Sequence, residues 1–144
     1  MDDIKKLADR IARKYHSRDP FEIIQEMNAI LIYTHLEGIR GLYQYFQRNH
    51  IIYIDDGLPD REQRFVCAHE MGHMLLHRKM NAVFMERHTF LNRNKFEIEA
   101  NRFAMDLLVS DDILDEYKEY TTEQLSRLLG YQEELLKLRI PLQR

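Results

Sequence analysis

The sequence predicts an α+β fold in which helices pack on a small three-stranded antiparallel sheet, and three observations carry that prediction. Near both ends of the chain, apolar residues recur at three- and four-residue spacing, the period of an amphipathic helix. Between residues 30 and 54 the pattern changes to short runs of β-branched and aromatic residues punctuated by glycine. The 144 residues, 44% hydrophobic and 31% charged, suit one compact domain with a single core, taken as residues 1–144.

The first helix runs from Asp2 to Tyr15, where Ile4, Leu7, Ala8, Ile11, Ala12 and Tyr15 form one apolar stripe. Asp19-Pro20-Phe21-Glu22 supplies an acceptor, a proline and an acid in the order that starts a helix, so a second begins at Pro20 and ends near Asn28. Three strands follow at Ile30–His35, Leu42–Phe46 and Ile51–Ile54, with Arg48-Asn49-His50 as a hairpin turn that makes the last two antiparallel neighbours. After the turn residues Asp55-Asp56-Gly57-Leu58-Pro59, Asp60 is placed to cap a long helix through Leu76. Residues 81–95 show no clean period and read as a long loop, with room for a short strand at Ala82-Val83-Phe84. Phe96 to Val109 is helical again, and short helices at Asp112–Glu119, Glu123–Leu129 and Glu133–Leu138 close the chain, with Gly130 as a stop.

Composition excludes several classes. With 21 basic against 24 acidic residues the formal charge is −3, so no basic field exists to hold a nucleic-acid backbone. No apolar run approaches the roughly 18 residues that cross a bilayer, and the start Met1-Asp2-Asp3 lacks the basic and apolar segments of a signal peptide, which predicts a cytoplasmic protein without membrane contact. A lone cysteine, Cys67, can build neither an intrachain disulfide nor a thiolate cluster, so any metal must be held by histidine and carboxylate.

The chemistry concentrates at His69-Glu70-Met71-Gly72-His73. On a helix, two histidines four residues apart project from one face and can chelate one ion. Glu70 lies beside them, where a general base can act on an attacking water without ligating. A catalytic zinc takes three protein ligands, so a third must come from Glu97, Glu99, Asp106, His77 or His88. His77 falls a further turn along the helix and reads as a packing or supporting residue. His88 lies in the loop and is a candidate for stabilising the oxyanion. Glu97 and Glu99, two apart, point in different directions, and only one can reach the ion. Asn101, one turn beyond Glu97, can hydrogen-bond a ligating histidine, whereas Phe103 follows Glu99, so Glu97 is favoured. Gly72 inside the helix costs stability unless a neighbour approaches closely there.

Two segments resemble the ImmA/IrrE family of zinc metallopeptidases, a small gluzincin-like group: Arg64-Phe65-Val66-Cys67-Ala68-His69-Glu70-Met71-Gly72-His73-Met74-Leu75-Leu76-His77, and Glu97-Ile98-Glu99-Ala100-Asn101-Arg102-Phe103-Ala104 followed by Leu107-Leu108. The resemblance implies a minimal zincin-like domain with His69, His73 and Glu97 as ligands of one zinc, or manganese, and Glu70 as catalytic base. Val109-Ser110 stands where the family commonly has Met-Pro. The resemblance further implies a protein substrate, a helix-turn-helix repressor or similar regulator of a mobile element, prophage or stress response.

The reaction expected is metal-assisted hydrolysis of a peptide bond, with Glu70 moving the water proton to the leaving amine. Zincins offer an edge strand to an extended substrate, and His50–Asp55 is the candidate, with Tyr53 reaching into the cleft. The competing reading is a regulatory module that keeps the metal and binds a protein partner without cleaving it. A third reading takes residues 122–139 as a DNA-binding helix-turn-helix, but Gln132-Glu133-Glu134 would put acids against phosphates. Packing of Leu125, Leu128, Leu129, Leu135 and Leu136 explains the same pattern.

Overall fold

The computed structural model describes residues 2–77 and 90–140. Helix α1 (Asp2–Tyr15) buries Ile4, Ala8, Ile11 and Ala12 along the stripe its sequence spells out. Helix α2 (Pro20–Glu26) starts where Asp19 accepts a hydrogen bond from the Phe21 amide at 3.0 Å, and it fully buries Ile23.

Strands β1 (Ile30–Thr34), β2 (Gly41–Phe46) and β3 (Asn49–Asp55) form one sheet in the order β1-β3-β2. β2 and β3 are an antiparallel hairpin, but its turn sits at Gln47-Arg48, one residue earlier than the sequence suggests. Both turn residues have positive φ, 49° and 67°, as a two-residue hairpin of the primed type requires. The expectation of an all-antiparallel sheet fails at β1, which pairs with β3 in parallel from Ile30↔Ile51 to Thr34↔Asp55. The chain leaves β1, passes over the end of β3 and returns as β2 on the far side. Asp55 fixes this crossover, accepting from the Leu36 amide at 2.8 Å and donating its own amide to the Arg40 carbonyl at 2.9 Å. The central place goes to β3, which buries Ile52 and Ile54 completely, whereas β1 has no fully buried residue. Ile51–Ile54 is therefore paired on both sides, and the stretch His50–Asp55 is no free edge.

Helix α3 (Asp60–Leu76) lies between the sheet and helix α4 (Phe90–Leu108) and is buried on nearly all sides, from Phe65 to Met74. Pro59 rather than Asp60 occupies its cap position, and Asp60 becomes the first helical residue. α4 begins at Phe90, six residues before the start expected at Phe96, because the polar run Asn92 to Lys95 carries no apolar stripe to announce it. The suggested strand at 82–84 lies outside the described residues.

α1 and helix α7 (Glu133–Arg139) pack against α4. Between them, α5 (Asp111–Glu116) is capped by Ser110, whose hydroxyl accepts from the Ile113 amide at 3.2 Å, so the departure at Val109-Ser110 becomes a helix start. α6 (Thr122–Leu129) opens on a capping box between Thr121 and Gln124 and stops at Gly130, φ 86°. Leu125 and Leu136 are buried in the core, while Leu128 points outward with 46% exposure.

Candidate metal centre

The four-residue repeat of α3 brings the rings of His69 and His73 to a centroid distance of 4.8 Å, nearly perpendicular at 86°. α4 lays Glu97 across them. Its carboxylate oxygens lie 3.0 Å from His69 Nε2 and 3.3 Å from His73 Nε2. One ligand atom from each of the three residues falls within 4.8 Å of the others. This close crossing depends on Gly72. A Cβ there would stand 3.1 Å from Ala100 Cα and 3.2 Å from the Ala100 carbonyl oxygen, so the missing side chain lets the two backbones meet.

The rear nitrogens of both imidazoles are engaged. His69 Nδ1 lies 2.7 Å from Asn101 Oδ1, one turn beyond Glu97 on α4. His73 Nδ1 lies 3.0 Å from His77 Nδ1. Glu99 turns away from the pair and meets His77 Nε2 at 2.7 Å. Asp106 lies about 13 Å further along α4 than Glu97, at 1.5 Å per residue, and faces Arg139 at 3.8 Å. His88 lies outside the described residues.

Charge follows from this geometry. Burial pushes against ionisation of Glu97, but hydrogen bonds from His69 and His73 override it and hold the carboxyl far below its usual range. Burial disfavours the His69 cation as well, yet the Glu97 hydrogen bond raises its pKa, whereas burial prevails at His73 and lowers it. Glu70 is 6% exposed, and burial pushes its carboxyl up to about 7. It sits beneath β2, where Gly41 makes the room: a Cβ on Gly41 would collide with Val66 Cγ1 and lie 3.3 Å from Glu70 Oε2. The sequence shows Gly41 only as punctuation before a strand at Leu42, whereas it is the first residue of β2 and the point of close approach. Tyr53 lies on the sheet face opposite the buried Ile52 and Ile54, and its hydroxyl donates to Gln44 Oε1 at 2.9 Å.

Two imidazole nitrogens and one carboxylate oxygen, with each histidine oriented from behind, make a donor set suited to a divalent ion such as zinc. The family model of peptidase family M78, the IrrE N-terminal-like domain, matches residues 24–140. The chain belongs to this family. As an IrrE N-terminal-like domain it falls among metallopeptidases, which work with a divalent metal ion. It is 37% identical over 139 residues to the uncharacterized immunity region protein 2 of Bacillus phage phi105, covering 94% of this chain and 88% of that protein. It is 27% identical over 119 residues to metallopeptidase ImmA of Bacillus subtilis strain 168, covering 81% of this chain and 69% of that protein. Among solved structures, a Mycobacterium tuberculosis transcriptional regulator shares the fold with a TM-score of 0.66 at 15% identity. That likeness covers 100% of this chain but 50% of the other, so the chain spans half of that regulator's length. Among the described residues, no helix is long and apolar enough to cross a membrane.

Proposed function

We propose that residues 1–144 act as one zinc-dependent endopeptidase domain in the cytoplasm, with His69, His73 and Glu97 holding the ion and Glu70 as catalytic base. The observation that carries this reading is the convergence of three ligand atoms within 4.8 Å. The ion, when bound, supplies Lewis-acid polarisation of the scissile carbonyl. Everything else falls to the chain's own residues. Glu70 takes a proton from the attacking water as its oxygen bonds the carbonyl carbon, then delivers that proton to the nitrogen as the C–N bond breaks. A carboxyl pushed up to about 7 by burial is matched to accepting and returning a proton near neutral pH. Asn101 fixes the His69 ring and keeps its Nε2 turned toward Glu97.

The substrate in this proposal is a regulatory protein of a phage or other mobile element, such as a helix-turn-helix repressor. The phage phi105 relative is named for an immunity region, and the B. subtilis relative for metallopeptidase activity. In the test, metal-loaded protein and its Glu70→Gln variant are incubated with the repressor encoded nearby and with an unfolded casein-like protein. The expected result is cleavage of the repressor by wild type, poor digestion of the unfolded chain, and loss of cleavage by orders of magnitude in Glu70→Gln with metal and fold retained. Equal cleavage by the variant removes Glu70 as base. Digestion of the unfolded protein with the repressor intact removes the regulatory substrate. Retained metal with no cleavage of either favours the non-cleaving binding module.

A further inference from the structure

Behind His73 runs a second row of groups that the hydrolytic reading does not use. His73 Nδ1 faces His77 Nδ1 at 3.0 Å, and His77 Nε2 faces Glu99 Oε1 at 2.7 Å. His73 and His77 are both buried, and the Phe96 ring packs on His77 with centroids 4.7 Å apart, which fixes the plane of the imidazole.

The order of protons along this row follows from what each group can do. A carboxylate only accepts hydrogen bonds, so His77 meets Glu99 with a proton on Nε2. A neutral imidazole carries one proton, which leaves His77 Nδ1 as an acceptor. Among the described residues, the partner for that lone pair is a proton on His73 Nδ1, 3.0 Å away. Where an ion takes the place of the hydrogen bond between His73 Nε2 and Glu97, that Nε2 has to be free of a proton, and this row supplies the tautomer that leaves it so. Reversing the row would put the proton on His73 Nε2 and set the Glu99 carboxylate against a bare nitrogen.

We propose that Glu99 and His77 are positioning residues that act in series to hold His73 in the tautomer whose Nε2 can ligate a metal ion. The inference rests on the metal-site reading above and deepens it, because it gives Glu99 a task distinct from that of Glu97. The same α4 turn thus serves both sides of the centre: Glu97 meets the ring nitrogens at the front, and Glu99 reaches the back of His73 through His77.

The test uses the full chain loaded with zinc, with affinity read by competition against a chromophoric chelator and histidine tautomers read from nitrogen-15 correlation spectra. In the wild type, His77 should carry its proton on Nε2 and His73 on Nδ1. His77→Phe should weaken zinc binding by about 10- to 100-fold, the usual cost of losing such a partner. Glu99→Ala should weaken it in the same direction, but should add nothing once His77→Phe is present, because it acts only through His77. His77→Asn supplies an acceptor to His73 Nδ1 without needing Glu99, so it should recover most of the affinity and be insensitive to Glu99→Ala. Thermal melts of each variant separate loss of binding from loss of fold. A wild-type His77 protonated on Nδ1, or additive losses in the double variant, would overturn the inference while leaving the metal site standing. Failure of the wild type to bind zinc would remove the metal site and this inference together.

Discussion

Replacing Gly72 by alanine sets two effects against each other at the point where α3 and α4 cross. Alanine inside a helix is worth about 1 kcal/mol over glycine. The new methyl, however, would stand 3.1 Å from Ala100 Cα, 3.2 Å from the Ala100 carbonyl oxygen and 3.3 Å from Phe103 Cβ. Two of these three neighbours are backbone atoms of a buried helix, and Ala100 and Phe103 are fully enclosed, so none can swing aside as a flexible side chain would. Relief requires α4 to move away from α3 by a few tenths of an ångström, and overpacking of this kind costs about 1–3 kcal/mol. The net is a loss on the order of 1 kcal/mol, or a fall in Tm of about 2–4 °C for a domain of this size. The same movement carries Glu97 away from His69 and His73, so zinc affinity should fall by about tenfold or more in the proposed centre. Differential scanning calorimetry of the metal-free protein and chelator competition on the loaded one measure the two effects. A raised Tm with unchanged zinc affinity would refute the claim that the helices touch closely at Gly72 and that their spacing sets the site.

Two further outcomes are expected. Glu97→Ala should weaken metal retention well beyond Glu99→Ala, since one removes a proposed ligand and the other a proposed support; the reverse ranking in a metal titration would exchange their roles. Asp106 is pushed up to about 6 by burial, against the opposing pull of Arg139, Arg102 and Lys5 and with Asp9 adding to the rise. The folded chain therefore binds this proton more tightly than the unfolded one, and stability should be lost as pH rises from about 4 to about 6. Asp106→Asn should flatten that slope and stabilise at neutral pH by up to about 3 kcal/mol, read from urea midpoints across the range; an unchanged slope would count against it.

Much of the fold is legible because it is local. The Asp19-Pro20 start, the Gly130 stop and the stripe of α1 each lie within a few residues, and the chain adopts them where the sequence places them. Strand partnership is not local. Nothing within Ile30–Thr34 states that it will lie beside β3 rather than β2, since that depends on a crossover held by Asp55, a residue the sequence offers as a turn residue and as the end of an edge strand. The start of α4 escaped notice for the opposite reason, because a polar stretch can continue a helix without a periodic signal.

The centre divides in the same way. That His69 and His73 share a face follows from four-residue spacing alone, and the divergence of Glu97 from Glu99 follows from their being two apart. The partner of Glu99 and the gap left by Gly41 depend on how α3 crosses its neighbours, which no single segment encodes.

The three converging groups come from two separate helices, His69 and His73 from α3 and Glu97 from α4. An ion held among them would tie α3 to α4 as a crosslink does, and it would bind the folded chain far better than the unfolded one. Occupancy would then become part of the free energy of folding, contributing about 2.7 kcal/mol when free metal stands at a hundred times Kd. The lifetime of the protein in the cell would follow the metal supply, so that scarcity removes activity and also exposes the chain to unfolding and turnover.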